Sequence, residues 1–252
     1  MTIREYFQKN PIIAIAFSGG VDSAWLLHEA LRCGEKTRAY FVRTPFQPAF
    51  ELADARETAE MLGAELEIID LDVLELPEVA ANPENRCYFC KKALFTALTA
   101  RAKADGFPLV ADGSNASDDA GDRPGMAALR ELGVVSPLRE CGVTKAEIRT
   151  LAKAAGIAVW DKPSYACLAT RIPANTPITT EMLQRVERGE KRLMEMGFSD
   201  FRLRLRGANA LLQVRSEQME RAAAQLPLIR KLLAADFADI LLDDAPRAAR
   251  ES

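Results

Sequence analysis

Residues 12–17, IIAIAF, are an unbroken apolar run between Asn10-Pro11 and Ser18-Gly19-Gly20, and a helical pattern starts directly behind the glycines. A segment apolar on both faces suits a strand buried inside a parallel sheet. From Asp22 to about Cys33, the residues Ala24, Leu27, Ala30 and Leu31 lie on one helical stripe, which Gly34 ends. The alternation repeats. Strands are expected at 37–42, 65–69 and 107–111, with helices at 50–62, 91–105 and 144–155; Thr144 and Glu147 give the last a capping box. This order predicts an α/β fold, a doubly wound parallel sheet with helices on both faces. Ligands of such sheets lie beyond the carboxyl ends of the strands, where Ser18, Asp70 and Asp112 fall. After Pro173 the rhythm changes to a helix (179–196), two strands about Gly207 (201–206 and 210–215), a further helix and a strand at 237–242. Domains are therefore expected at 1–173 and 174–252, the second a small α+β unit for substrate binding or oligomerisation.

With 252 residues, 48% of them hydrophobic, the chain can bury a sizeable core. Its 33 Lys and Arg against 36 Asp and Glu leave no global electrostatic footprint for nucleic acid. The charged start MTIREYFQKN lacks the apolar stretch of a signal peptide, and no run approaches membrane-spanning length. Five cysteines, two of them in Cys87-x-x-Cys90, fit reduced thiols in a cytoplasmic protein better than a disulfide framework. A small-molecule substrate and a homo-oligomer are expected.

The loop Ser18, Gly19, Gly20, Val21, Asp22, Ser23 places backbone N–H groups and a positive helix end where a phosphate chain can rest. The glycines permit positive φ and close approach of an anion. Ser18 and Ser23 add hydroxyls, and acidic Asp22 suits Mg²⁺ better than phosphate. No Lys follows the glycines, so this is not a Walker loop. ATP and Mg²⁺ are the expected ligands.

SGGVDS resembles the PP-loop signature of the ATP pyrophosphatases, which cleave ATP between the α and β phosphates. Three further stretches, NRCYFCKK (85–92), DGSNASDDAGDRPG (112–125) and KPSYACLATRIP (162–173), follow in an order similar to the LarE family of ATP-dependent sacrificial sulfur transferases. That resemblance implies adenylation of a carboxylate of a pyridinium dicarboxylate mononucleotide, then sulfur insertion, toward a nickel-pincer nucleotide. Asp22 and Cys167 would be catalytic. Some family members give up the sulfur of one cysteine, while others hold a [4Fe-4S] cluster on three. Cys87, Cys90 and Cys167 resemble the second kind, although a lone C-x-x-C also suits zinc, a redox pair or inert thiols.

Within 112–125, Gly113, Ser114 and Asn115 offer close backbone approach and amide readout for a nucleotide. Asp118, Asp119 and Asp122 suit either metal or solvent, and Arg123 either an anion or a surface ion pair. Lys162 and Arg171 would favour a Cys167 thiolate if their side chains converge. Arg202, Arg204 and Arg206 share one strand face. They could clamp a substrate phosphate, or pair with Glu187 or Glu190 in solvent. Arg123, Arg171, Glu190 and Arg204 are the candidate substrate contacts. Across this hairpin the chain departs from the family, with Leu205, Arg206, Leu211 and Gln213 where histidines, Arg and Glu are usual. Cys33 and Cys141 match no motif, and His28, the one histidine, reads as helix surface. A tRNA thiolase or an amidating synthetase would keep the same activation chemistry with another acceptor.

Overall fold

The computed structural model describes residues 1–118 and 124–247. They divide into two compact units, residues 1–79 with 85–162, and residues 80–84 with those from Pro163 onward. In chain order the elements up to Lys162 are α1 (Ile3–Lys9), β1 (Ile12–Ala16), α2 (Val21–Cys33), β2 (Lys36–Arg43), α3 (Ala49–Met61), β3 (Leu66–Asp70), α4 (Pro77–Ala80), α5 (Arg86–Ala104), β4 (Val110–Ala111), α6 (Pro124–Glu131), α7 (Pro137–Glu140) and α8 (Lys145–Ala154).

The four strands pair in parallel in the order β3-β2-β1-β4. Alternation along β1 and β2 splits the core into two layers. Ile13, Ile15, Ala39 and Phe41 face a cluster with Phe7 of α1, Trp25 to Leu27 of α2, Ala55 of α3 and Ile148 of α8. Ala14, Tyr40 and Val42 face Leu98 and Ala102 of α5, with Phe107. The sheet is thus covered on both faces, as the alternation of elements demands. The chain leaves β1 toward β2 and β3 on one side and returns to β4 on the other, so the loops after β1 and β4 meet at a topological switch point.

Three boundaries differ from expectation. The strand at 107–111 shrinks to Val110–Ala111; Phe107 turns into the core and Pro108 has no N–H, leaving the Leu109 carbonyl to accept from Ala14 N at 2.9 Å. The helix expected from residue 91 begins at Arg86, which puts both C-x-x-C thiols in its first turns. The last strand covers only Ile240–Leu242, because the Phe237 N–H still donates to the Leu233 carbonyl at 3.0 Å and so belongs to the end of the preceding helix. Helix α8 begins as expected, with the Thr144–Glu147 box formed in both directions.

The second unit contains α9 (Thr180–Glu195), β5 (Arg202–Arg206), β6 (Asn209–Gln213), α10 (Met219–Leu233) and β7 (Ile240–Leu242). β5 and β6 form an antiparallel hairpin, and β7 joins β6 in parallel. Leu183, Val186 and Leu193 of α9, Leu203 and Leu205 of β5 and Ile229 of α10 are all buried. Among the described residues no helix is long and apolar enough to cross a membrane.

Candidate active site

The loop after β1 is shaped by its own groups. Gly19 adopts φ +72°, and a Cβ there would come within 3.0 Å of Ala55 Cα, so only glycine fits. Gly20 is extended, with φ −83° and ψ 162°, and serves as the N-cap of α2 without a side-chain bond. The expected positive φ therefore belongs to one glycine of the pair. Ser23 is buried and closes the loop: its Oγ donates to Gly20 O at 3.1 Å and accepts from Ser18 N at 3.2 Å. Its hydroxyl is engaged in shaping the loop, while Ser18 stays exposed. With no side chain capping α2, the first-turn N–H groups and the helix dipole are available to an anion.

The loop after β4 packs against this helix start. A Cβ on Gly113 would lie 3.1 Å from Ser23 N and 3.4 Å from Asp22 Cβ, so glycine here brings two backbones together. Asn115, also buried, donates from Nδ2 to Asp22 Oδ1 at 3.3 Å. Buried Asp112 accepts from Ser136 Oγ at 2.6 Å and from Ser114 Oγ at 2.5 Å, which pins the loop to the strand end. Ser18 to Ser23, Gly113 and Asn115 thus come together. Lys145, which the sequence reading missed, adds its Nζ 2.5 Å from Asp22 Oδ2; the only sequence signal was its place directly after the Thr144 cap. Asp70 at the end of β3 is exposed and paired with Arg43. Arg123, Asp119 and Asp122 lie outside the described residues.

All five cysteines are free thiols. Cys33 and Cys141 pack against the main core. Cys87 and Cys90 sit three residues apart on α5, Cys87 exposed and Cys90 partly buried. Arg86, buried and lying over the Phe46 ring, brings Nη2 to 3.9 Å from Cys87 Sγ. Among the described residues no group of three or more His, Cys, Asp or Glu is gathered to hold a metal.

In the second unit, Cys167 caps a 3-10 turn, Leu168–Arg171. Arg171 is 1% exposed and holds that turn from within. Its Nε and Nη2 donate to the two oxygens of Glu190 at 2.8 and 2.9 Å, while Nη1 donates to the Ala166 and Cys167 carbonyls at 2.6 and 3.2 Å. Glu190, equally buried, also accepts from Tyr165 Oη and from Leu203 N. Burial opposes the charge of Arg171, yet its bonds to Glu190 hold its pKa above the ordinary value. The two residues expected to contact substrate are thus bonded to each other in the interior, with Arg171 also tied to the backbone of the Cys167 turn. Lys162 is likewise committed, to Asp54 at 2.7 Å.

The arginines of β5 do face one way but graduate in burial. Arg202 is 3% exposed; it donates to the Phe201 and Ser164 carbonyls at 2.6 and 3.4 Å and lies over the Tyr165 ring. Arg204 donates to Gln213 Oε1 at 2.6 Å and Thr170 O at 2.7 Å. Neither has a carboxylate partner among the described residues. Burial, then the charges of Arg171 and Arg247, push Arg202 down to about 10. Burial, then Arg171, Arg206 and Arg247, lower Arg204 as well. Uncompensated positive charge at this depth suits an anionic ligand. Gln213 at the departure point bridges Arg204 to Asp243, donating from Nε2 to Oδ2 at 2.6 Å.

No protein-family model matches the chain. An uncharacterized protein of Synechocystis sp. is 36% identical over 227 residues, which cover 90% of this chain and 85% of that one. The pyridinium-3,5-bisthiocarboxylic acid mononucleotide synthase of Lactiplantibacillus plantarum is 30% identical over 204 residues, 80% of this chain and 74% of the synthase. The tRNA-specific 2-thiouridylase of Thermotoga petrophila is 28% identical over 195 residues, 60% of this chain and 54% of the thiouridylase. Extent and identity of the match to the synthase, joined to the glycine loop at the switch point of a parallel sheet, assign the chain to the LarE family of ATP-dependent sulfur transferases within the PP-loop superfamily.

Proposed function

We propose that the protein adenylates a carboxylate of a pyridinium dicarboxylate mononucleotide and replaces one of its oxygens by sulfur, in the cytoplasm, toward a nickel-pincer nucleotide. The observation carrying this reading is the match along four fifths of the chain to an enzyme named for the bisthiocarboxylic product. A free carboxylate is a poor electrophile. Attack of its oxygen on the α-phosphorus of ATP releases pyrophosphate and leaves AMP as a competent leaving group on the acyl carbon. Ser18 to Ser23 hold the departing pyrophosphate through backbone N–H groups, with Gly113 and Asn115 beside the nucleotide. Asp22, a hard oxygen donor at the loop, fits Mg²⁺, which neutralises phosphate charge when bound. Sulfur then attacks the acyl carbon and AMP departs. Arg204 and Arg202 hold the phosphate of the acceptor, and Arg171 with Glu190 positions the turn that presents Cys167.

Cys87, Cys90 and Cys167 are the thiolates we assign to a [4Fe-4S] cluster, on the softness of these free donors and not on a gathered site among the described residues. Such a cluster would supply a labile sulfide, and the three cysteines would keep their own sulfurs. The second unit serves acceptor binding and assembly of copies of the chain.

The test supplies ATP, Mg²⁺ and a sulfur source anaerobically, with either the pyridinium nucleotide or unmodified tRNA as acceptor. Sulfur should enter the nucleotide, with iron and sulfide present in the purified protein. Sulfur found only in tRNA would transfer the reading to the thiolase alternative. Iron-free protein that stays active would return the sulfur to Cys167 itself.

A further inference from the structure

The carboxylate of Asp22, assigned above to Mg²⁺, is already engaged. Lys145 Nζ lies 2.5 Å from Oδ2, and Asn115 Nδ2 donates to Oδ1. The ammonium is held there by more than its flexible stem. Lys145 is the first residue of α8, whose start is locked by the Thr144–Glu147 box, and its own backbone N–H donates to Ser117 Oγ at 2.9 Å. The two side chains are 12% and 26% exposed, so solvent screens the pair only in part.

The position is otherwise unfavourable for a lysine. A cation in the first turn of α8 opposes that helix's dipole, and the first turn of α2 stands on the other side of the pair. Asp22 is what compensates it. A divalent cation approaching Asp22 must displace the ammonium, and without an accompanying anion it would add two charges to a region that already holds Lys145 and two positive helix ends. A metal arriving with a polyphosphate does not meet this obstacle, because the phosphates take up the charge of the displaced ammonium.

We propose that Lys145 is a place-holder cation: it occupies the Asp22 carboxylate in the empty protein, holds off divalent metal until a nucleotide arrives, and then turns to the phosphates. Metal and nucleotide consequently load together, and the acidic loop residue is never left exposed to metal alone. This rests on Asp22 as the metal-binding residue.

The experiment titrates Mn²⁺, a spectroscopically visible stand-in for Mg²⁺, into the full chain and follows free Mn²⁺ by electron paramagnetic resonance. Wild type, Lys145→Met and Asp22→Asn are compared with and without α,β-methylene ATP, which is not cleaved at the α–β bridge. Without nucleotide, Lys145→Met should bind Mn²⁺ about tenfold tighter than wild type, the effect of removing one partly screened neighbouring cation. The analogue should then sharpen Mn²⁺ binding in wild type much more than in Lys145→Met. A lysine that merely ties α8 to the loop would lower thermal stability when replaced and leave metal affinity alone. A folded Lys145→Met whose nucleotide-free Mn²⁺ affinity equals that of wild type overturns the proposal; Lys145→Gln serves in its place should the Met variant not fold. If Asp22→Asn binds Mn²⁺ and analogue as wild type does, the metal assignment itself falls, and the place-holder with it.

Discussion

The loop at Ser18 to Ser23 and the turn at Cys167, the two places proposed above for anionic chemistry, are made of different material. The first is backbone. Gly19 supplies the left-handed residue, Gly20 the bare cap, and Ser23 fastens the bend, so the groups offered to an anion are peptide N–H donors that no side-chain rotation can misplace. The second is side chains, with Arg171 buried against Glu190, and with Arg202 and Arg204 crowded beside them without an ion-pair partner of their own among the described residues. A backbone site costs little to hold ready. A buried guanidinium cluster is maintained against its own desolvation and repulsion, and its yield is a turn whose cysteine is fixed in place.

The sharpest way to break this contrast is to unbalance the buried pair. Glu190→Gln leaves Arg171 charged and unpaired in the interior, and urea unfolding should register a loss of about 3–5 kcal/mol; a loss below about 1 kcal/mol would mean the pair is not what secures the Cys167 turn. Next comes the loop. Gly19→Ala forces a Cβ onto φ +72° and into Ala55, a strain on the order of 1–3 kcal/mol, and nucleotide affinity measured calorimetrically should fall with it. Gly20→Ala meets only Ser18 Oγ at 3.4 Å and should bind nucleotide far better than Gly19→Ala. Equal losses would deny the backbone account.

The smallest effect concerns Arg202. Its pKa in the folded chain, about 10, lies below the ordinary arginine value, so the unfolded chain binds the proton more tightly. The penalty is therefore complete at neutral pH, and stability rises as pH climbs through about 10. Arg202→Met should raise the unfolding free energy measured in urea at pH 7 by roughly 1 kcal/mol, and with it the midpoint, with a gain that shrinks as pH passes 10, while the affinity for the acceptor phosphate drops. A midpoint that falls at pH 7 would indicate that the guanidinium is a net stabiliser.

The same contrast explains what was legible in the sequence. A backbone site is written locally, as an apolar strand, two glycines and a helix stripe, and IIAIAFSGGVDS carries all of it. Asp22, Gly113 and Asn115 were expected there for that reason, and the structure brings them together. The capping box of α8 was read correctly, while the equivalent Thr2–Glu5 box that opens α1 was present in the sequence and overlooked. Pairings between side chains distant in sequence are not written locally. Arg171 and Glu190 are 19 residues apart, Lys145 and Asp22 are 123 apart, and nothing in either segment names its partner. Arg171 thus read as a substrate contact, and Lys145 not at all.

Activation is proposed for the loop and sulfur delivery for the cluster that Cys167 would help to hold, and one variant separates them. Cys167→Ala removes a thiol at a partly exposed turn and touches neither the loop nor the Arg171 pair. With ATP, Mg²⁺ and the pyridinium nucleotide, pyrophosphate release and sulfur incorporation are followed in the same reaction, the latter by mass spectrometry of the nucleotide. Release should persist within about twofold of wild type under single turnover while sulfur incorporation disappears. Undiminished sulfur incorporation, or loss of both signals together in a folded variant, would contradict the division.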